Sequence, residues 1–463
     1  MLKSLYLFLI MTFNDGVLCK DYTNYTLYKA KPENQNQLTL LNNLTDMNTI
    51  DFWVPPSTIN RFVEFVISPE DKPYFFKAFD KEKIQLTTII YNIQSEFDQQ
   101  LDDNKTPEKY DWSKYNTLNQ TYNWLTDFQK RHAEEMEILT IGKTAEGRPI
   151  KAVKVVLKGS KTRSSVIIEG GIHGREWISP AFVTYMLNAI VTAKSEKDKV
   201  LREIALTYEW FFIPILNPDG FQYTHAMDRL WVKNRYNNHG VDLNANFPYT
   251  FGTARISSNI SSKLYCGPYP FSESESRALR DFVLTKSTTL EYYISIHSYG
   301  QFLILPYDNS REHQDNYDEV KTMVTEVVSS ISNRYGTEYT VGNLFETRAF
   351  LASGSSTSWI KSAIKVPYVL TVYLRDKDMF GYALPSEQII PTCAETLDGL
   401  LSFLQIKTEM FETFDHVDNN SGKPLLTQLN YLTSENATSG QRDGLMKASG
   451  VIFNVLFVVL LQE

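Results

Sequence analysis

Short apolar runs alternate with longer amphipathic stretches between about residue 110 and residue 408. The apolar runs, which we expect to form buried strands, are Val153–Val156, Val166–Ile168, Trp210–Ile215, Tyr292–Ile296 and Tyr368–Val372. The stretches that we expect to form helices are Ala181–Ala193, Glu273–Leu284 and Tyr317–Tyr335. Strands that alternate with helices in this way predict one α/β domain over residues 110–408.

A different pattern occupies residues 20–105, which we expect to fold as a separate unit. In chain order it predicts a strand at Tyr25–Ala30, a helix around Gln35–Leu44, strands at Ile50–Val54 and Phe62–Ile67, a helix near Glu70–Asp80 and a strand at Ile84–Tyr91. This βαββαβ order is typical of a small α+β open sandwich. The polar run 99–105 is a candidate linker, with Lys105 and Lys109 as candidate processing sites.

Both ends of the chain carry targeting patterns. Lys3 precedes the apolar run Leu5–Phe13, which is too short to span a bilayer, so residues 1–19 are predicted to be a secretory signal peptide. At the other end, a polar tail and spacer (409–450) leads to a hydrophobic segment (451–463), which is typical of a signal for a glycosylphosphatidylinositol (GPI) anchor. A packed terminal strand is the alternative for that segment. We therefore expect a secreted or extracellular protein that the anchor would hold at the cell surface.

Net charge, aromatic content and sequons limit the kinds of function and partner that we expect. The chain has 463 residues, a formal net charge of −8 and a pI near 5.6, which argue against a nucleic-acid partner. Aromatic residues make up 13% of the chain, which favours a well-packed globular core. Sequons for N-glycosylation, whose number fits passage through the secretory pathway, occur at Asn24, Asn43, Asn104, Asn119, Asn259, Asn419 and Asn436.

The candidate chemistry centres on two histidines and a glutamate. His173 and Glu176 follow the apolar run that ends at Glu169, and His297 comes much later, at the end of another apolar run. Two imidazole nitrogens and one carboxylate oxygen make a three-ligand zinc site with a fourth position open, which is how catalytic zinc is held. The point where a buried strand turns into a helix is also where open α/β sheets place their active sites.

The same His-x-x-Glu spacing recurs at His132 and Glu135 in a different context. Apolar residues at helical spacing, of which Met136 is the last, predict an amphipathic helix over Tyr122–Ile138. We therefore interpret His132 as a solvated helix residue and not as a metal ligand.

A series of short motifs surrounds the candidate ligands. In chain order they are Gly-Ile-His-Gly-Arg-Glu-Trp-Ile-Ser at 171–179, Asn-Pro-Asp-Gly-Phe at 217–221, Arg-Leu-Trp at 229–231, Gly-Val-Asp at 240–242, Ile-His-Ser-Tyr at 296–299, Ala-Ser-Gly at 352–354, Leu-Arg-Asp at 374–376 and Gln-Ile-Ile-Pro-Thr at 388–392. Together they resemble the A/B-type zinc metallocarboxypeptidases, or funnelins. The resemblance implies a mixed, twisted sheet with helices on both faces and one Zn²⁺ ion bound by His173, Glu176 and His297. It makes Asp242 the carboxylate that orients the first histidine.

Four positions depart from the family pattern. Tyr373 stands where the family has a glutamate as general base, and a phenol with a pKa of about 10 is a poor proton acceptor. Val232 replaces the arginine that stabilises the oxyanion, Ala245 replaces the arginine that grips the terminal carboxylate, and Phe350 replaces the tyrosine that closes over the substrate. Asp376 is no simple substitute for the base, because three residues along a strand reverse the direction of a side chain. We therefore predict that no catalytic residue is intact.

These substitutions leave two main hypotheses. Loss of a general base costs about 10²- to 10⁴-fold in rate, and loss of an oxyanion donor costs about 10²- to 10³-fold. The first hypothesis is a zinc-retaining pseudoenzyme that binds peptides or proteins at the cell surface. The second is an active zinc carboxypeptidase that removes C-terminal residues from peptides with a displaced general base. A third class, a structural surface glycoprotein, would need no metal.

The resemblance also bears on partners. Arg175, Asn244 and Tyr299 stand at substrate-contact positions of the family and would hydrogen-bond a peptide end, while Thr357 stands at the base of its side-chain pocket and indicates no particular substrate. Residues 20–105 correspond to an inhibitory pro-segment that caps the active-site funnel, with an attached accessory domain as the alternative. We expect a monomer that contacts peptide or protein C-termini and its own pro-segment, and a membrane only through the anchor.

Two cysteines remain after the predicted signal. Relatives usually pair a cysteine near Cys266 with one just before Val-Asp, but residues 237–240 contain none. A bond between Cys266 and Cys393 is an open alternative, since connectivity does not follow from sequence.

Overall fold

The computed structural model describes residues 19–47, 49–100, 110–160, 164–193 and 199–418, with the backbone alone from residue 406 onward. The chain divides into two units, residues 1–403 and 404–463. Several predicted features lie outside the described residues, namely most of the signal peptide, the candidate processing sites Lys105 and Lys109, the sequons Asn104, Asn419 and Asn436, and the hydrophobic segment 451–463.

The N-terminal part, which we call the N-terminal sandwich (residues 20–100), has the predicted βαββαβ order and one further helix. Its elements are β1 (Thr26–Ala30), α1 (Gln35–Asn43), β2 (Ile50–Val54), β3 (Val63–Ile67), α2 (Lys72–Lys81), β4 (Leu86–Ile90) and α3 (Ile93–Gln100). The strands form an antiparallel sheet in the order β2-β3-β1-β4. Alternate residues of β3, such as Phe65, pack on Phe75 and Phe79 of α2, and this apolar cluster forms the core of the sandwich.

The described residues between 110 and 403 form the large domain, in which all the strands and helices predicted at the outset are present. Its elements are α4 (Leu118–Arg131), β5 (Met136–Lys143), β6 (Pro149–Val155), β7 (Ser165–Gly170), α5 (Ile178–Thr192), α6 (Lys199–Thr207), β8 (Glu209–Ile213), α7 (Pro218–Ala226), α8 (Ser274–Leu284), β9 (Leu290–Ser298), β10 (Phe302–Ile304), α9 (Tyr317–Tyr335), β11 (Thr340–Gly342), α10 (Leu344–Arg348), α11 (Ser356–Trp359), β12 (Tyr368–Leu374) and α12 (Ile389–Asp418).

The eight strands of the large domain form one mixed sheet in the order β11-β10-β12-β9-β7-β8-β6-β5. The central pairs β12–β9, β9–β7 and β7–β8 are parallel, whereas β5, β6 and β8 pair antiparallel. Every residue of β7 is buried, as expected for a central parallel strand covered by helices on both faces. The mixed sheet predicted from the sequence is therefore confirmed, and the carboxyl ends of β7, β9 and β12 lie side by side.

The predicted helix over Tyr122–Ile138 is too long. Helix α4 ends at Arg131, His132 caps it, and Met136 opens strand β5, which pairs with β6. The apolar residues at the end of α4 and at the start of β5 happen to continue one helical spacing along the sequence, so the pattern predicted a single helix. His132 is half-buried, with its ring 4.6 Å from that of Phe128, and it does not belong to a metal-ligand cluster among the described residues.

Cysteines and sequons in the described residues can be compared directly with the predictions. Cys266 and Cys393 are buried free thiols, so the structure does not contain the bond that the sequence left open. The four sequon asparagines that the structure describes are all exposed, at Asn24, Asn43, Asn119 and Asn259. Among the helices of the described chain, none has the length and apolar character needed to cross a bilayer.

Candidate metal centre and peptide-binding cavity

The turn between β7 and α5 positions two of the candidate ligands. Gly171, the first residue after the strand, has φ +63°, and a Cβ at this position would lie only 3.0 Å from the backbone of Ile215. Its amide donates a hydrogen bond to the Ser179 hydroxyl inside α5, which closes the turn. His173 and Glu176 therefore project from a fixed loop at the carboxyl end of the sheet.

The third candidate ligand comes from the neighbouring strand. His297 is the second-last residue of β9, which pairs in parallel with β7. The Glu176 carboxylate lies between the histidines, with Oε1 2.9 Å from His173 Nδ1 and Oε2 3.0 Å from His297 Nδ1. Glu176 is 3% exposed and His297 is fully buried. The one potential metal-holding cluster among the described residues is this triad, whose ligand atoms lie within 4.8 Å of one another.

The donor set and its surroundings fit zinc. Asp242 accepts the Nε2–H of His173 at 3.1 Å, and this leaves the Nδ1 lone pair of His173 directed at the other two ligands. The same carboxylate accepts the amide of Asn244 at 3.0 Å, which fixes its position. Burial raises the pKa of Glu176, but the imidazoles of His173 and His297 outweigh that effect and lower it to about 2. An ionised carboxylate with two ring nitrogens is the ligand set of catalytic zinc sites.

Tyr373 faces this triad from β12. It is the register partner of His297 in the parallel pair, and the two rings stack with centroids 5.2 Å apart. Burial raises the pKa of the Tyr373 phenol well above its ordinary value, so the group stays protonated at neutral pH. Tyr373, which the sequence predicts to stand at the general-base position, therefore lies beside the candidate ligands as a protonated phenol.

Asp376 does not supply the missing carboxylate. Its side chain accepts hydrogen bonds from the amides of Met379, Phe380 and Gly381, at 2.6 to 2.9 Å. These bonds hold the loop that follows β12, so the carboxylate is engaged away from the triad. This agrees with the expectation that a residue three positions further along would not replace the base.

The other three substituted positions are apolar. Val232 and Ala245 are buried, and Phe350 is half-buried. All three line the cavity of about 200 Å³ that opens over His173 and Glu176. Gly354 approaches Ala245 so closely that a Cβ on this glycine would lie 2.3 Å from the Ala245 carbonyl oxygen. The cavity thus has no guanidinium at either of the two family arginine positions.

Two of the predicted substrate-contact residues are held by the N-terminal sandwich. Arg175 donates to both carboxylate oxygens of Asp51, at 3.1 and 3.2 Å, and Lys263 lies 2.6 Å from the same carboxylate. Tyr299 donates to Glu64 at 2.6 Å. The groups expected to receive a peptide end are therefore occupied by strands β2 and β3.

The pKa values of Asp51 and Glu64, the two acidic residues that the N-terminal sandwich places over the cavity, are shifted in opposite directions. Burial raises the pKa of Asp51, but Lys263 and Arg175 outweigh it and lower the pKa to about 2. For Glu64, burial prevails over the opposing effects of Tyr299 and Lys29 and raises the pKa to about 7. Asp51 is thus a firmly ionised partner, whereas Glu64 titrates near neutral pH.

An aromatic plug accompanies these polar contacts. Trp53 of β2 packs edge-on against Tyr299 and Tyr382, with ring centroids 6.2 and 5.1 Å apart. Tyr382 also lies against Arg175, whose Cζ is 3.9 Å from the ring centroid. The N-terminal sandwich therefore covers the cavity with one indole and two carboxylates.

The remaining two predicted contact residues are placed differently. The Asn244 side-chain carbonyl accepts the amide of Ser356 at 3.1 Å, and Asn244 lines the cavity. Thr357 is buried and accepts a hydrogen bond from Thr371 at 3.2 Å, and the residue of this pair that lines the cavity is Thr371. The assignment of Thr357 to the base of a side-chain pocket stays a prediction, and Thr371 is the neighbour through which Thr357 contacts the cavity wall.

Sequence reasoning missed several residues of the cavity wall. The long-range packing of loops brings in Lys263, Asp308, Tyr382, Arg255 and Arg348. None of them stands in a motif with a spacing that indicates a site. For the charged members of this group, the one available signal is a charged residue in otherwise apolar surroundings near a motif.

Comparisons with known proteins agree with this geometry. Residues 121–399 match a family model described as "Zinc carboxypeptidase", and residues 28–100 match one described as "Carboxypeptidase activation peptide". The chain is 35% identical to "Zinc carboxypeptidase A 1" of Anopheles gambiae over 394 residues, which cover 83% of this chain and 90% of the relative. It is 38% identical to "Zinc carboxypeptidase" of Simulium vittatum, over 63% of this chain and 96% of the relative.

Solved structures show the same fold. The crystal structure of thrombin activatable fibrinolysis inhibitor superposes with a TM-score of 0.77 at 29% identity and covers 83% of this chain and 98% of that one. The carboxypeptidase A of Helicoverpa armigera superposes with a TM-score of 0.73 at 22% identity, covering 83% and 97%.

Proposed function

Since this chain belongs to the zinc carboxypeptidase family, whose members use one zinc ion, we propose that it binds peptide or protein C-termini without hydrolysing them. In this proposal His173, Glu176 and His297 hold the ion, and Asp242 orients His173. The observation that carries the proposal is the stacking of a protonated Tyr373 on His297, where a carboxylate base would be needed.

The residues of this chain account for the loss of turnover. When bound at such a site, zinc supplies Lewis-acid chemistry. Tyr373 accepts no proton, Val232 offers no donor to a developing oxyanion, and Ala245 provides no bidentate clamp. Loss of the base alone corresponds to about 10²- to 10⁴-fold in rate, so the remaining activity would be very low even where the metal is held perfectly.

Residues 20–105 act in this proposal as an inhibitory pro-segment of the large domain (110–408). The match of residues 28–100 to an activation peptide supports it, as do the contacts of Asp51, Glu64 and Trp53 over the cavity. The pro-segment occupies the groups that a peptide end would use, so it competes with ligand. A protein of this kind would bind after the cap is removed or loosened.

We further propose a secreted monomer that a GPI anchor holds at the cell surface. The exposure of the four described sequon asparagines is compatible with glycosylation. Release of the protein from cells by a phosphatidylinositol-specific phospholipase tests the anchor. Protein that appears only in the medium, without phospholipase, would contradict it.

The test of the function compares metal content with turnover on one sample. The chain is expected to retain about one zinc per molecule after dialysis, by analogy with catalytic sites that hold zinc with three protein ligands. On libraries of C-terminal peptides it is expected to show less than about a hundredth of the rate of an active relative. Turnover above that level, abolished by chelation, would contradict the proposal. Near-zero zinc would instead favour a structural surface glycoprotein.

A working carboxypeptidase with a displaced base is the second candidate. Asp308 favours it, because this buried carboxyl lines the same cavity. Burial raises the pKa of the Asp308 carboxyl, against the lowering effects of Ser355, His297 and Ser358. If turnover is found, Asp308→Asn should abolish it, while Asp281→Asn, on the exposed side of α8, should leave it unchanged.

A further inference from the structure

Two arginines line the cavity at positions where the family's arginines do not stand. Arg255 lies in the loop after Ala254, and Arg348 ends helix α10. The Cζ of Arg255 is 4.3 Å from the Phe350 ring centroid, and that of Arg348 is 5.6 Å from the same centroid. Both guanidinium groups therefore lie close to one ring on the wall of the space that a ligand would enter.

These guanidinium groups differ from the other cations of the cavity in having no acidic partner. Arg175 and Lys263 both pair with Asp51. Neither Arg255 nor Arg348 forms an ion pair with any side chain among the described residues. Their guanidinium groups lie against the rings of Phe350, Phe302 and Tyr373. Both side chains are half-buried, and two cations partly withdrawn from water without a counter-charge favour an anionic ligand.

The one other acid in this part of the cavity does not neutralise the pair. Asp308 lines the cavity but forms no ion pair with either arginine, and burial raises its pKa. Burial lowers the pKa of Arg255 to about 10, and the nearby charge of Arg348 adds to this effect. Arg255 therefore stays cationic at neutral pH, and an anion bound by both guanidinium groups would relieve the repulsion between them.

The pair is close to the metal ligands. The Cζ of Arg348 is 5.6 Å from the Tyr373 ring centroid, and the Tyr373 ring stacks on His297. One aromatic ring thus separates Arg348 from the triad. Two guanidinium groups are missing at positions 232 and 245, and two stand elsewhere on the wall of the same cavity.

We propose that Arg255 and Arg348 form a carboxylate-binding subsite that takes over the anchoring role left vacant by Val232 and Ala245. The subsite receives a carboxylate of the last residue of a bound peptide, and both guanidinium groups donate to it. The inference rests on the proposed function, since it assigns the anchor for the peptide end that this function requires. Arginine suits the role, because its planar fork meets a carboxylate with two hydrogen bonds.

Two sources could supply this carboxylate, the main-chain terminus and an acidic side chain of the last residue. The probes are four acetylated dipeptides: Ala-Ala as free acid and as amide, and Ala-Glu amide and Ala-Gln amide. Binding is measured by titration calorimetry at low salt with the full zinc-loaded chain carrying Asp51→Asn, which removes the charged partner of Arg175 and Lys263 and so loosens the cap. The first pair reports on the terminal carboxylate and the second on the side chain.

In this background we expect the carboxylate member of at least one pair to bind about tenfold or more tightly than its neutral partner. Arg255→Gln and Arg348→Gln should each remove that preference, because glutamine keeps the stem on the rings without the charge. Lysine at either position should keep part of it. Arg311→Gln is the matched control, because Arg311 is exposed, lies against Phe345 and does not line the cavity.

The possible results distinguish failure of the carboxylate subsite from failure of the proposed peptide-binding function. Equal preference for the carboxylate in the parent and in both glutamine variants would overturn the subsite while leaving peptide binding intact. Absence of any preference in the parent would overturn it too. If none of the four peptides binds to protein that holds zinc, the proposed peptide-binding function fails first. Thermal unfolding and zinc content, measured for each variant, establish that a lost preference reflects the lost guanidinium and not a lost fold.

Discussion

Two walls of one cavity differ sharply in their chemistry. On the wall formed by the β7–α5 turn and the end of β9, each of the three ligands has a partner that directs it, and Asp242 orients the half-buried His173. On the wall formed by β12 and the loops that carry Val232, Ala245 and Phe350, the groups that would move protons or hold charge are replaced by apolar and aromatic side chains.

Under the proposed assignment, metal binding and proton transfer depend on separate parts of this fold. His297 and Tyr373 are register partners on adjacent parallel strands, so the backbone that would carry a base is still in place. A tyrosine fits there because its ring stacks on the imidazole. The ligand turn depends on local contacts such as the Gly171–Ser179 hydrogen bond, which the substitutions on the other wall do not touch.

The largest expected effect comes from the ligand wall itself. His297→Ala removes one of three ligands, and the zinc content of dialysed protein should fall from about one per molecule to near zero. Elemental analysis after dialysis measures it. His239→Ala, a histidine outside the triad, should keep its zinc, and full zinc retention by the first variant would contradict the assignment of the ligands.

Restoring the other wall should produce activity. The double variant Tyr373→Glu with Val232→Arg returns a base and an oxyanion donor to their family positions, and the rate on C-terminal peptides should rise about 10²-fold or more. Tyr269→Glu, at an exposed tyrosine, is the control for an added carboxylate. An unchanged rate in a folded, zinc-bound double variant would mean that other features limit turnover.

A smaller effect is expected at the carboxylate that orients His173. Asp242→Asn should weaken zinc binding by about 10- to 100-fold, because the His173 ring loses its fixed orientation and tautomer. Competition with a chelator of known affinity measures the change. Asp281→Asn serves as the exposed control, and equal affinities for both variants would show that Asp242 does not tune the site.

The cap over the cavity provides the next comparison. Asp51→Ala removes the partner of Arg175 and Lys263 and should destabilise the closed arrangement by about 2 kcal/mol, a value typical of hydrogen bonds to charged groups. Hydrogen exchange in β2 (Ile50–Val54) should accelerate accordingly. Asp80→Ala, at an exposed position of α2, is the control and should leave the exchange unchanged. Unchanged exchange in Asp51→Ala would show that the ion pair does not stabilise the closed arrangement.

The smallest effect is a pH dependence of the same cap. The pKa of Glu64 is about 7 in the closed arrangement against an ordinary 4.5, so closure favours its protonated form. Its contribution is complete below pH 4.5 and is lost as the pH rises towards 7. Asp51 has the opposite sign, since its lowered pKa makes its contribution disappear only as the pH falls towards 2.

Exchange in β2 should therefore increase severalfold between pH 5 and pH 7.5, beyond the intrinsic chemical effect of pH. Glu64→Gln should remove this excess, because the side chain no longer titrates. An excess that persists in the glutamine variant would assign the effect to another group.

Much of the fold and the ligand set follows from local sequence, and the exceptions have physical reasons. The βαββαβ order and the central strands appear in the apolar pattern because each element buries one face or both. The boundary near Met136 fails because helix α4 and strand β5 adjoin without a strong break. Arg255 and Arg348 escape prediction because loop packing alone brings them into the cavity. The pairing of Asp51 with Arg175 joins residues 124 positions apart and has no local signal.

The most direct test of the account is a crystal structure of the zinc-loaded protein with its cap loosened, soaked with a short peptide that has a free C-terminus. The account predicts an anomalous zinc peak among His173, Glu176 and His297 and an intact peptide in the cavity after long soaking. A peptide that has lost its last residue, or a triad without a zinc peak, would contradict it.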